Sequence, residues 1–191
     1  MRLKKRFMVC ALLVLMLTTI GLSTLAYYTA SGQAHNVITT SGIGITLQET
    51  IDDKGMPFVD LTGVMPGQVV PKIVAVRNDE EEAFIRIRCQ VVLKDGSGKE
   101  MKLSPEKLAG LISLDYNKKD WTEKDGYWYY GKPVATGERT VPLFTTVTFD
   151  GPNMTNEYQN CSVEIHVDAQ AVQVKNNPGT TALTAKGWPK A

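Results

Sequence analysis

Every second side chain is apolar in two stretches of this chain, FIRIRCQVVL at residues 84–93 and VEIHVDAQAV at residues 163–172. Successive side chains of a β-strand point to opposite faces, so this pattern predicts two strands, each buried on one face. Further β-rich runs lie at 43–51, 58–61, 72–76, 127–130 and 140–149. The segments between them are rich in Gly, Asp and Asn, which favour chain reversal. The sequence therefore predicts an all-β fold, an antiparallel β-sandwich of jelly-roll or immunoglobulin-like type.

One helix start interrupts this pattern. Ser104 is a suitable N-cap, Pro105 fits the first helical position, and Glu106 complements the helix dipole. Leu108 and Leu111 then supply an apolar stripe. We expect a single short helix inserted between strands.

The N-terminus has the composition of an export signal. Four cationic residues precede a wholly apolar run at 7–17, and Thr24 and Ala26 offer the small side chains that a signal peptidase reads. We predict a signal peptide over residues 1–26, cleaved after Ala26, with Ala30 as a second candidate position. Signal peptidase would then be a partner during export.

The alternative for this segment is a retained membrane anchor. Residues 7–26 number twenty and could just span a bilayer, although Thr and Ser dilute the outer half. In either case the leader is the only membrane contact that the sequence predicts, and the rest of the chain is expected outside the cell.

Size and charge limit the number of domains and the kinds of partner that the chain can have. Removing 26 of the 191 residues leaves 165, enough for one domain, which we place at 27–175 with a C-terminal tail at 176–191. The tail is expected to be mobile or to form one short helix. Cleavage removes four of the 21 Lys and Arg residues, leaving 17 against 20 Asp and Glu, a net charge of about −3. No nucleic-acid partner is expected, because the basic surface that it needs is missing.

Two cysteines remain after cleavage, Cys89 and Cys161. Both fall on the apolar side of their predicted strands, so an oxidising exterior would permit one disulfide across the core. The alternative is two buried thiols that act as small hydrophobic residues.

Five stretches carry a family resemblance. They are the leader ending in Leu25-Ala26-Tyr27-Tyr28-Thr29, the strand at 44–47, the segment at 66–88, the hairpin at 126–144 and the closing strand at 163–172. With these features the chain resembles the TasA and camelysin-like exported proteins of Gram-positive bacteria, which depend on a SipW-type signal peptidase. The resemblance covers most of the mature chain, but it rests on patterns of β-structure rather than on chemical signatures.

This resemblance implies a jelly-roll-like structural subunit, secreted to the cell surface or the biofilm matrix. Such subunits often form fibres when the N-terminal segment of one copy completes the sheet of the next, so the implied partners are further copies or other matrix proteins. Residues 27–40 are polar or small apart from Val37 and Ile38, and could add to an open sheet edge. The alternative is an ordinary first strand paired within its own domain.

The sequence offers little for catalysis. Some camelysin-like relatives have been described as metalloproteases, but this chain has no His-Glu-x-x-His motif. Glu164, His166 and Asp168 share one strand face and form the most metal-like group, but we favour cross-strand pairing with Arg86 and Arg88 as their explanation. We expect no enzyme activity, metal or cofactor, and keep a hydrolase that uses His166 as a minor hypothesis.

Aromatic residues suggest a second function. Within 127–130, Trp128 and Tyr130 face one way and Tyr127 and Tyr129 the other. We select Trp128 and Tyr130 as candidate ligand-binding aromatics of a monomeric surface module that binds glycan or protein. In the alternative both pairs pack, one in the core and one under the loop at 118–124.

Overall fold

The structure is a computed structural model that describes residues 28–31, 44–58, 61–64, 66–158 and 160–189. For the first and third of these ranges it describes the backbone alone. In chain order the elements are β1 (Tyr28–Ser31), β2 (Ile45–Thr50), β3 (Leu61–Val64), β4 (Val69–Asn78), β5 (Ala83–Lys94), α1 (Pro105–Leu111), β6 (Ile112–Leu114), β7 (Trp121–Lys124), β8 (Tyr127–Tyr130), β9 (Phe144–Phe149) and β10 (Ser162–Gln173).

Within the described ranges the strands form two sheets. The larger sheet has the order β3-β1-β10-β5-β8-β7 and the smaller one has the order β2-β4-β9-β6. Neighbouring strands are antiparallel except β1 and β10, which are parallel. The predicted all-β sandwich with one short helix is confirmed.

The core lies between the sheets and is built from the alternating residues that predicted the strands. Val163, Val167, Ile85 and Ile87 are completely buried. From the smaller sheet they meet Val74, Val76, Phe144, Val147 and Phe149. Burying one such side chain stabilises the fold by about 1.5–3 kcal/mol, so the two inner faces hold the sandwich together.

The tight hairpin between β7 and β8 follows from its two turn residues. Asp125 and Gly126 both have positive φ, 53° and 76°. A two-residue turn with two positive φ angles matches the right-handed twist of the flanking strands. It aligns Trp121 with Tyr130 and Glu123 with Trp128.

The helix begins where the sequence predicts. Ser104 has extended backbone angles, and its side chain accepts a hydrogen bond from the backbone N–H of Lys107 at 3.2 Å. Leu111 is the buried residue of this helix, and β6 follows directly, with Ile112 buried in the same core.

The C-terminal segment, residues 174–189, packs in turns on the outer face of the larger sheet and is neither a helix nor a free tail. Ala182 and Ala185 are buried there. Asn177 holds the segment together, since its side chain accepts from the backbone N–H of Lys186 at 2.7 Å and donates to the carbonyl of Gln173 at 3.0 Å.

Asn78 closes the turn between β4 and β5. Its side chain is fully buried, and its amide donates to the carbonyl oxygens of Glu81 at 2.9 Å and Val134 at 2.8 Å. Replacing Asn78 removes both hydrogen bonds from a fully buried position, and the Val134 carbonyl keeps only the N–H of Ala83 at 3.1 Å.

We therefore expect Asn78→Ala to lower the free energy of unfolding by about 1–3 kcal/mol in a denaturant titration. Asn153→Ala is the matched control, because Asn153 is exposed and should change stability little. Equal stability of the two variants would contradict a structural role for the Asn78 amide.

Candidate functional site

β1, the first described strand, lies in the larger sheet between β3 and β10, two strands that come much later in the chain. β1 pairs in parallel with β10, with Ala30 beside Val163, and antiparallel with β3, with Ala30 beside Leu61. Its sheet partners are therefore strands far along the chain, and β2, the next strand in sequence, belongs to the other sheet. The edge of β10 at 162–164 is covered by this short strand.

The predicted signal-peptidase residues Thr24 and Ala26 lie outside the described residues, as does the whole leader. In the part of the chain that the structure describes, no helix has both the length and the apolar character needed to cross a bilayer.

The two cysteines are too far apart for the predicted disulfide, and both are free thiols. Cys89 lies opposite Val167, whereas Cys161 precedes Ser162, which lies opposite Lys94. The six residue steps from Val167 to Cys161 correspond to about 20 Å along a strand, whereas a disulfide needs Cα atoms within about 7 Å. The disulfide prediction is corrected, and the alternative of two thiols holds, with the Cys161 sulfur 3.6 Å from the sulfur of Met101.

The predicted ligand aromatics lie on the inner face of the sheet. Tyr130 is 2% exposed, and its hydroxyl accepts a hydrogen bond from the backbone N–H of Val141 at 3.2 Å. Trp128 is half-buried and stacks on Tyr116 with ring centroids 4.5 Å apart. The prediction that these two side chains form an exposed binding surface is therefore wrong, because alternation defines two faces without saying which one is covered.

The other aromatic pair lies on the outer face and is covered by the C-terminal segment, not by the loop at 118–124. Tyr127 and Tyr129 are 9% and 7% exposed, and Trp188 packs edge-on against Tyr129 with centroids 5.7 Å apart. Both aromatic pairs are therefore packed, and the exposed surface needed for stacking on a sugar ring is missing from this hairpin.

Arg86 is the centre of this covered face. Its guanidinium carbon lies 3.9 Å from the Tyr127 ring centroid and 4.7 Å from that of Trp188. The guanidinium donates to Gln170 Oε1 at 2.6 and 2.9 Å, and to the carbonyl of Pro189 at 3.1 Å. One buried cation thus links the sheet to the end of the chain through hydrogen bonds and cation–π contacts.

The polar row on β10 pairs with its neighbours. Glu164 contacts Lys94 at 2.5 Å and His166 at 3.2 Å. Asp168 lies opposite Arg88 in the register, and one of its oxygens accepts from Gln170 at 3.3 Å. Among the residues that the structure describes, no three His, Cys, Asp or Glu side chains come together as a metal site would require.

Our sequence interpretation missed a buried ion pair within the smaller sheet, on the face that it turns toward the core. Lys72 of β4 is completely buried, and its Nζ lies 2.8 Å from Oε1 of Glu49 of β2, whose side chain is 7% exposed. Neither atom makes a hydrogen bond among the described residues, so the contact is an ion pair without hydrogen-bond geometry. Alternation within Val70-Lys72-Val74 and Ile45-Leu47-Glu49 is the signal that could have revealed it, because it places both charged residues on the apolar face.

Phe58 and Cys89 lie close to the ion pair, and Tyr116 forms a hydrogen bond with Cys89. The Phe58 ring lies beneath Lys72 Nζ at 3.9 Å. Burial raises the pKa of the nearby Cys89 thiol to about 11, against the lowering effects of its hydrogen bond with Tyr116 and of the Lys72 charge. Burial also raises the pKa of the Tyr116 hydroxyl. We call Glu49, Phe58, Lys72, Cys89 and Tyr116 the core polar cluster.

The comparisons with known proteins add no name to this geometry. The chain matches no family model, and a search of the curated proteins finds no match. The site must therefore be interpreted from its own contacts.

We expect Arg86→Ala to release the C-terminal segment, because the substitution removes its charged hydrogen bonds to Gln170 and Pro189. Backbone amides at 177–189 should then exchange with deuterium faster, and the free energy of unfolding should fall by about 1.5–3 kcal/mol. Arg88→Ala, an exposed position on the same face, is the control. Identical exchange in both variants would contradict the assigned role of Arg86.

The fragment of residues 27–191 should show two reactive thiols after unfolding in guanidinium without any reductant, since Cys89 and Cys161 are free. In the folded Cys161→Ser variant, alkylation of Cys89 at about pH 8 should be slow, because burial holds its pKa near 11 and keeps the thiol protonated. An unfolded chain that shows no thiol until reductant is added would contradict this assignment.

Proposed function

We propose that the protein is an exported, non-enzymatic structural subunit that assembles with copies of itself at the cell surface or in an extracellular matrix. The leader-like composition of residues 1–26 supports export. Support for assembly comes from the pairing of β1.

The pairing of β1 with β10 and β3 is the observation that carries this proposal. Its partners lie at 61–64 and 162–164, so the segment makes its sheet contacts far from its own position in the chain. A copy of the same strand from a second molecule would present the same backbone groups to the same edge. Exchange of an identical element between subunits is an economical route to assembly.

The chain between β1 and β2 is long enough for such an exchange. Twelve residues, 32–43, separate Ser31 from Gly44. Fully extended, they would span at most about 40 Å, which exceeds the radius of a domain of this size. In such an exchange, β1 of each subunit would fill the edge of β10 in the next subunit. Each subunit then donates one strand and accepts one, so the assembly continues as an open fibre rather than closing as a dimer.

Electron microscopy of residues 27–191 at increasing concentration tests the proposal, and we expect fibres. Deletion through Thr40 should abolish them, because it removes β1 and leaves the edge of β10 without its donor. A synthetic peptide of residues 27–40 should bind the truncated protein without restoring fibres, since it fills the edge but carries no second domain. Unchanged polymerisation of the truncated protein would exclude this segment as donor.

A further inference from the structure

The contact between Lys72 and Glu49 joins two groups that can react with each other. The amine nitrogen lies 2.8 Å from Oε1, an oxygen bonded to the carboxyl carbon. Both side chains point into the core, and neither of the contacting atoms makes a hydrogen bond among the described residues. The amine and the carboxyl group are therefore in contact as an ion pair, with no competing hydrogen-bond partner that would draw them apart.

We propose that Lys72 and Glu49 condense into an amide that covalently links β4 to β2. The ammonium first passes one proton to the carboxylate across the contact, giving a neutral amine and a neutral acid. The amine nitrogen then forms a bond to the carboxyl carbon, and the bond from that carbon to the hydroxyl oxygen breaks. The hydroxyl leaves with a second amine proton as one molecule of water, so the step needs no oxidant, reductant or further reactant.

Proximity favours the reaction. Groups fixed in contact react as if at an effective concentration of about 10⁵ M or more. Here the two side chains are held by adjacent strands in register, with Glu49 opposite Val74 and therefore diagonal to Lys72. Two free molecules must first meet in the correct orientation, which costs entropy. In the folded chain that cost is met when the sheet forms.

Burial favours the product. Two charges withdrawn from water carry a large desolvation penalty, which their mutual attraction offsets only partly. A neutral amide removes both charges from the core. The Phe58 ring face over Lys72 Nζ favours the ammonium on that side, but the Cys89 thiol stays protonated beside the pair and adds no negative charge that would hold the ammonium there.

The released water has a way out. A cleft of about 330 Å³ opens at the end of β2, with Glu49, Thr50, Lys54 and Arg139 among its lining residues. Glu49 borders this cleft, whereas Lys72 lies behind it with no exposed surface. Loss of water toward the cleft would leave the amide nitrogen on the Lys72 side, which has no exposed surface and is therefore shielded from hydrolysis.

The amide would fix β2, an edge strand, to its neighbour β4. β2 is an edge strand of the smaller sheet, paired only with β4 among the described strands. It is also the first strand after the segment that carries β1. An amide to β4 would hold β2 in place whether or not the subunits assemble, so this inference does not depend on the proposed function.

Mass spectrometry of the purified full chain tests the inference. We expect an intact mass lower than the sequence mass by one water molecule, after allowance for any leader cleavage. Trypsin should fail to cut after Lys72, because an acylated lysine is not a substrate. A branched peptide should then appear, in which the fragment 55–77 is joined to the fragment that ends at Lys54 and contains Glu49.

Two variants distinguish loss of water at Lys72 from loss of water at any other residue. Lys72→Arg should have the full sequence mass, whereas Lys54→Arg, at an exposed lysine beside the cleft, should still lack one water. The measurement on the wild-type chain stands even if Lys72→Arg folds poorly. A wild-type chain of full mass that is cut normally after Lys72 would overturn the inference, and so would a mass deficit that maps to other residues.

Discussion

The antiparallel pairing of β5 with β10 is the interaction on which the rest of the structure depends. The two strands are in register over twelve positions, from Ser162 opposite Lys94 to Gln173 opposite Ala83. Because side chains alternate along both strands, one register places Ile85, Ile87, Val163 and Val167 together on the inner face. A slip by one residue would turn every one of them toward the opposite face.

The same strand pair positions both ends of the described chain, one at the edge of β10 and the other on the outer face of the sheet. β1 adds to the free side of β10, and the C-terminal segment packs across β5, β8 and β10 through Arg86 and Trp188. The aromatic residues that would otherwise be an exposed apolar patch are covered by the chain itself.

The core polar cluster is the exception to an otherwise apolar interior. A buried ion pair is seldom a net source of stability, because desolvation of both charges offsets their attraction. Lys72 and Glu49 nevertheless occupy positions that alternation assigns to the core, where Leu, Ile or Val would pack without that penalty. The amide proposed for this pair would remove that penalty, because it leaves no charge in the core.

Local patterns in the sequence determined the long strands, the helix start at Ser104 and the Asp125-Gly126 turn, because each depends on the geometry of a few consecutive residues. They also determined that β5 and β10 have two unlike faces. Only the tertiary structure decided that Cys89 and Cys161 lie apart, that Trp128 faces inward, that the C-terminal segment packs and that Lys72 meets Glu49. These outcomes depend on strand register and sheet order, which join residues far apart in the chain, so no single stretch determines which residues meet.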